Sequence, residues 1–267
     1  MALEGDDPEG SSVAPLLLSE EGALRMLQQA FDLWVHPEVQ KRKNSGALPK
    51  QFQLTMAQRI QFPDGRISVR LNDEVRGVAS IRSSRQMQAG DSISLADMAG
   101  IEQFDIPDDE LDAGHLTMIW TGSSWFVSFN FLSNRAKCRS LLEKASEFLD
   151  VAKIAKDRNS PTVAVDTLFS ACELISKAAL VSASVISIDV KTHGQIASKI
   201  NHWRKLGNVE GAFVDLFNKL NNLRPRFRYD AEFSDLMPIS DDDFDLVGVM
   251  IALGIERVRA SHDKLGL

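Results

Sequence analysis

The apolar residues of this chain pass from a period of two to a helical period near residue 132, and that change limits the folds open to it. From residue 53 to that point apolar and polar residues alternate over short runs. Leu54, Met56, Ile60 and Phe62 stand against Gln53, Thr55, Arg59 and Gln61, and Ile67, Val69 and Leu71 resume the pattern. A period of two belongs to a strand, whose successive side chains point to opposite faces. Pro63-Asp64-Gly65 separates the two runs. It predicts a turn, because proline presets its backbone angle and glycine accepts a positive one. A further strand is expected at residues 77–83. A second hairpin is expected at 116–121 and 125–131, joined through Gly122-Ser123-Ser124. Trp120, Trp125, Phe129 and Phe131 are expected to make the core of this sheet. Residues 102–112 carry six acidic side chains and Pro107, which reads as an exposed loop.

After residue 132 the apolar positions recur every three or four residues, the period of a helix with one buried face. Leu141, Leu142, Ala145, Phe148, Leu149 and Ala152 form a first stripe. Ser160-Pro161 opens a second helix, with serine as cap and proline in the first turn, where its missing N–H costs nothing. Its stripe is Val165, Leu168, Phe169, Cys172, Ile175 and Ala179. Thr192 and Gln195 have the spacing of a capping box ahead of a third helix, which Gly207 stops. A fourth runs through Phe213, Leu216, Phe217, Leu220 and Leu223. The last begins at Ser240, with Asp241, Asp242 and Asp243 at its positive end. Short connections imply antiparallel neighbours in one bundle of about five helices. One more helix, 20–35, precedes the strands, with Ser19 as cap and Pro37 as stop, and residues 41–50 read as a basic connection. The expected class is α+β: a loose tail at 1–15, a small antiparallel sheet with one helix at 16–132, and a helical bundle at 133–267.

Charge divides at the same place. Residues 1–132 hold 11 basic against 19 acidic side chains, and residues 133–267 hold 19 against 18, within a net charge of −7. A phosphate backbone is repelled by the first part and tolerated by the second. Cys138 and Cys172 both fall in helical patterns without a companion at metal-ligand spacing, so buried, unreactive thiols are expected. The acidic start lacks the features of a signal peptide, and the longest apolar run, 246–255, is too short to span a bilayer. A cytoplasmic address without membrane association is the expectation.

Motifs of known chemistry are missing from the sequence. It has no Gly-rich phosphate loop, no His-Glu-x-x-His helix and no Gly-x-Ser-x-Gly elbow, and its five histidines are scattered. No cofactor or metal is expected; the run of aspartates at 241–243 suits a helix terminus better than an ion. One segment differs from its surroundings. Leu223-Arg224-Pro225-Arg226-Phe227-Arg228-Tyr229-Asp230 places three arginines on alternate positions beside the only tyrosine. Pro225 is expected to end the helix here and splay the arginines. Guanidinium groups this close repel one another unless anions or carboxylates sit among them. Two readings follow: pairing with Asp230, Glu232 and Asp235, or contact with a phosphate or RNA backbone, to which Lys191 would add.

The second half resembles the HEPN domain, an all-helical bundle found in prokaryotic toxin–antitoxin, antiviral and stress systems. The resemblance rests on the helix order and on three stretches: Cys172 to Leu180, Lys191-Thr192-His193-Gly194, and Leu220 to Tyr229. It implies homodimerisation and RNA as a partner. It also implies metal-independent RNA cleavage by an arginine followed a few residues later by a histidine. Such a site needs the arginine to stabilise the strained phosphate and the histidine to shuttle protons. Here Arg224 is followed after four residues by Tyr229, and a phenol with an ordinary pKa of about 10 is a poor shuttle at neutral pH. Members of the family without nuclease activity often carry this ending. Arg257 and His262 repeat the arginine–histidine spacing, but five residues rotate a helix by about 140°, which sends the two side chains apart. His193 is the other histidine that could serve Arg224. The expectation is a regulatory or interaction protein with a catalytically degenerate HEPN-like bundle and a protein partner not specified by the sequence. The rivals are a metal-independent endoribonuclease of a toxin or defence system and a purely structural helical adaptor.

Overall fold

The computed structural model describes residues 20–92, 97–230 and 237–259, in two compact units, one ending at Gln53 and the other beginning at Leu54. The 1–15 tail, the Ser19 cap, Glu232, Asp235 and His262 lie outside the described residues.

In the first unit, helices α1 (Glu20–Ala30) and α2 (His36–Asn44) are joined without a break by a π-helical turn, Phe31–Val35. Pro37 therefore does not stop the helix, and residues 41–44 are helical rather than part of a connection. A proline within a regular helix clashes with the carbonyl one turn back. The widened turn shifts the hydrogen-bond register just ahead of it, with the His36 N–H donating to the Phe31 carbonyl.

The second unit has the α+β composition that the change of period predicts. Its strands are β1 (Met56–Gln61), β2 (Ile67–Leu71), β3 (Val78–Ser83), β4 (Met98–Asp105), β5 (Gly114–Trp120) and β6 (Trp125–Asn130). Four of them form an antiparallel sheet in the order β2-β1-β5-β6, and β3 pairs with β4 separately. Gly65 has a φ of +85° in the first hairpin turn, the conformation for which glycine was needed.

Two expectations fail in this sheet. The acidic segment is not an exposed loop: its first residues belong to β4, and Asp105 and Ile106 are fully buried. The aromatic residues are not the sheet's core either. Phe129 and Phe131 are 47% and 54% exposed and stack on each other, whereas Ala57, Ile60, Leu116 and Met118 are buried. β6 is an edge strand, so its side chains have a neighbouring strand of this sheet on one side only.

The helices α3 (Arg135–Asp157), α4 (Pro161–Ser182), α5 (His193–Lys205), α6 (Gly211–Tyr229) and α7 (Asp241–Val258) form the bundle. α4 is central, packing against all four others, and its buried positions run from Ala164 to Ser182. Phe169, Phe213, Phe217 and Leu220 fill the middle of the core. α7 starts with a reciprocal cap: Ser240 accepts from the Asp243 N–H, and the Asp243 carboxylate accepts from the Ser240 N–H. Asp241 pairs with Lys156, and Asp243 with Lys219 at 2.9 Å. α5 begins where expected, but Thr192 makes no side-chain cap. No helix among the described residues is long and apolar enough to cross a membrane.

Sheet and bundle meet over buried charge. Arg135, in the first turn of α3, donates from Nη1 and Nη2 to both Asp105 oxygens at 2.8 and 2.7 Å, and from Nε to the Leu111 carbonyl at 3.0 Å. Both side chains of the pair are fully buried. A buried ion pair survives only when hydrogen bonds complete it. Here the Ile106 N–H also donates to Asp105, and His115 Nε2 stands 3.4 Å from the same carboxylate.

Candidate functional site

The residues singled out by sequence converge, in part, at one end of the bundle. α6 runs unbroken through Pro225 to Tyr229, contrary to the expectation that the proline would end it. Pro225 and Asn221, four residues earlier, are both exposed, so the carbonyl that loses its donor can turn to water. Continued helix puts Arg224 and Arg228, four apart, on one face, and Arg226, two from each, on another.

The carboxylate between the arginines comes from α4. Arg224 Nε donates to Asp166 Oδ1 at 2.6 Å, and Arg228 Nη2 donates to Oδ2 at 2.7 Å. Burial opposes the charge on Asp166, but the hydrogen bonds from Arg228 and Arg224 outweigh it and hold the carboxyl below the ordinary aspartate range. The hydrogen bond to Asp166 in turn raises the Arg228 pKa. One turn along α4, the Phe169 ring lies 4.8 Å below the Arg224 guanidinium, a cation–π contact, and stacks on Phe217 at 5.5 Å.

His193, the first residue of α5, reaches the same ring. Its imidazole meets Phe169 edge-on with centroids 5.9 Å apart, and its Nδ1 pairs with Glu173. α5 is held alongside α6 by reciprocal amide bonds between Asn201 and Asn218 at 3.0 and 2.9 Å and by the Arg204–Asp215 ion pair. Both links lie on one antiparallel register, and extending it to the start of α5 brings His193 level with the arginine end of α6.

Of the predicted residues, Arg224 and His193 therefore meet at Phe169, and Arg228 joins them through Asp166. Tyr229 is 81% exposed at the last position of α6. Lys191 is exposed two residues ahead of α5 and makes no ion pair among the described residues. Sequence reading missed Asp166 and Glu173. Their signal was the spacing 166, 169, 173, which places two acids and an aromatic ring on one helical face. The cluster can offer a guanidinium and an imidazole to an anion, but each is already engaged by a carboxylate. A phosphate would have to displace Asp166 or share both arginines with it.

Thiol chemistry is held back elsewhere in the bundle. Burial pushes the Cys138 thiol up to about 12, with the Asp112 charge adding to the effect, and burial also raises Cys172. Among the described residues no three acidic, histidine or cysteine side chains are grouped to hold a metal ion.

Models of known protein families, curated proteins and solved structures were all compared with the chain, and none matches it.

Proposed function

We propose that this chain is a cytoplasmic regulatory or interaction protein whose bundle is a catalytically degenerate HEPN-like module, acting as a dimer or as an RNA contact in bacterial stress or phage defence. One observation carries the reading. Asp166 pairs with Arg224, the arginine that a nuclease of this kind would turn to the scissile phosphate, and with Arg228 beside it. A transition-state donor already satisfied by a fixed carboxylate has little left to give a developing negative charge. The tyrosine at the end of α6 agrees with this, since it is 81% exposed, while the ring that meets Phe169 beside Arg224 is that of His193.

The test is incubation of the full chain with a mixed RNA pool in EDTA, beside Arg224→Ala and His193→Ala. No cleavage by any of the three is expected. Cleavage by wild type that disappears in Arg224→Ala overturns the reading. That outcome would favour the metal-independent endoribonuclease, for which the shared contact of Arg224 and His193 with Phe169 speaks. Sedimentation at tens of micromolar tests the dimer, and a monomer alone would count against it.

A further inference from the structure

The C-terminal half of α4 lies roughly 20 Å along the bundle from the arginine end, at 1.5 Å of rise per helical residue. There Ala178, Ala179 and Ser182 face Leu142 of α3 and Gly254 of α7. α7 comes so close to α3 at this point that a Cβ on Gly254 would stand 2.9 Å from Leu142. Small side chains on the α4 side leave a cleft of about 220 Å³. Its interior is apolar, with Ile175, Val209, Met250 and Val258 completing the wall. It opens to the surface beside Leu253, which is 59% exposed, and Arg257.

The mouth carries a particular charge. Arg257 makes no ion pair among the described residues. The other charged group at the lip, Glu210, is turned to the start of α6, where it accepts the Ala212 N–H. The Ser182 hydroxyl donates to the Ala179 carbonyl and keeps its lone pairs. An apolar interior under a guanidinium with no ion pair among the described residues is complementary to a molecule with an apolar tail and an anionic head.

We propose that this cleft binds a small amphipathic carboxylate, its tail filling the space over Ala178 and Ala179 and its carboxylate pairing with Arg257. The volume sets the tail length. An apolar cavity of about 150 Å³ takes up benzene, so this one admits an acyl chain of about eight carbons. Recognition here does not involve Arg224, Asp166 or His193, and stands or falls apart from any role of theirs.

Sodium octanoate is the probe, with octan-1-ol as its uncharged counterpart, titrated calorimetrically into the full chain. Saturable one-to-one binding of octanoate is expected, with a rise in Tm, because a ligand of the native state stabilises it. Arg257→Gln should weaken octanoate about five-fold and leave octan-1-ol unchanged, the effect of removing one charged hydrogen-bonding partner near the surface. Ala179→Leu, which fills the cleft, should abolish binding of both probes while circular dichroism stays native. If that variant does not fold, the exposed Arg257→Gln still decides. Failure of octanoate to bind folded wild type overturns the proposal, as does equal octanoate affinity in Arg257→Gln. A dimer that octanoate dissociates would also overturn it, assigning the cleft to a second copy of the chain.

Discussion

Removing either member of the Arg135–Asp105 pair should be among the most damaging single changes in the second unit, and removing both should be far milder. The two side chains are fully buried and joined by two charge-assisted hydrogen bonds at 2.8 and 2.7 Å. Asp105→Leu would leave the buried guanidinium with the Leu111 carbonyl as its hydrogen-bond partner, and Arg135→Met would leave a carboxylate facing the Ile106 N–H and His115. Breaking one side of a buried pair typically costs about 3–5 kcal/mol. Against a whole-domain stability of about 5–15 kcal/mol, each single variant should lose a large part of its margin. The double variant Asp105→Leu/Arg135→Met strands no charge and keeps apolar volume, so it should lie within about 2 kcal/mol of wild type. Urea unfolding followed by circular dichroism measures all four proteins. The coupling energy, the two single losses less the double, should be at least about 4 kcal/mol, above the usual range for residues in contact. Single-variant losses under about 1 kcal/mol, the worth of a solvated surface pair, would refute the argument, and so would additive losses in the double variant.

Asp166→Asn removes the negative charge between Arg224 and Arg228, so any RNA affinity should rise. The slope of log K against log salt should steepen by about 1.4, two further phosphates at about 0.7 each. An unchanged slope in anisotropy titrations would show that these arginines do not meet phosphate. Asp166 and Asp243 both have lowered pKa values in the fold, despite burial, because Arg228 and Arg224 hold the first and Lys219 the second. Their contribution to stability is thus complete above the unfolded aspartate value of about 3.9 and is lost as pH falls through the folded values. Asp166→Asn/Asp243→Asn should flatten the acid limb of the urea-midpoint curve, and coincident limbs would sink this. With Cys138 pushed up to about 12 and Cys172 raised by burial, a thiol reagent at mildly alkaline pH should label neither residue until denaturant is added. Rapid labelling of the native protein would contradict that burial.

Features encoded by neighbouring residues were legible in the sequence. The turn at Gly65, the start of α4 at Pro161 and the cap at Ser240 stand where local chemistry predicts them, although the Ser160 side chain makes no cap. What was missed depends on partners distant in the chain. Asp105 looked like one acid in a solvated run because Arg135, which buries it, is 30 positions away. Local acids were expected around the arginines of α6, while the carboxylate that Arg224 and Arg228 share lies on α4, 58 positions before Arg224. Proline was over-read twice. At Pro37 a π turn absorbs the disruption, and at Pro225 an exposed face does. In both places the outcome depends on backbone register or solvent access, which a residue's identity does not encode. The arginine–histidine association was legible only through the HEPN resemblance, and Phe169, where the two meet, had been assigned simply to the apolar stripe.

The proline inside α6 has a consequence for how the protein breathes. Pro225 has no N–H to bind the turn before it, so the segment from Arg226 to Tyr229 has one helical hydrogen bond fewer tying it to the rest of α6 and leans in part on α4. The fastenings are the Thr162 hydroxyl on the Phe227 carbonyl at 3.3 Å and the Asp166 carboxylate on Arg224 and Arg228. Such a segment is a small cooperative unit with its own opening equilibrium, shallower than that of the Phe213–Leu220 core. Its amides should exchange with deuterium ahead of the rest of α6, so the end of the helix that carries the arginines is also the end that lets go first.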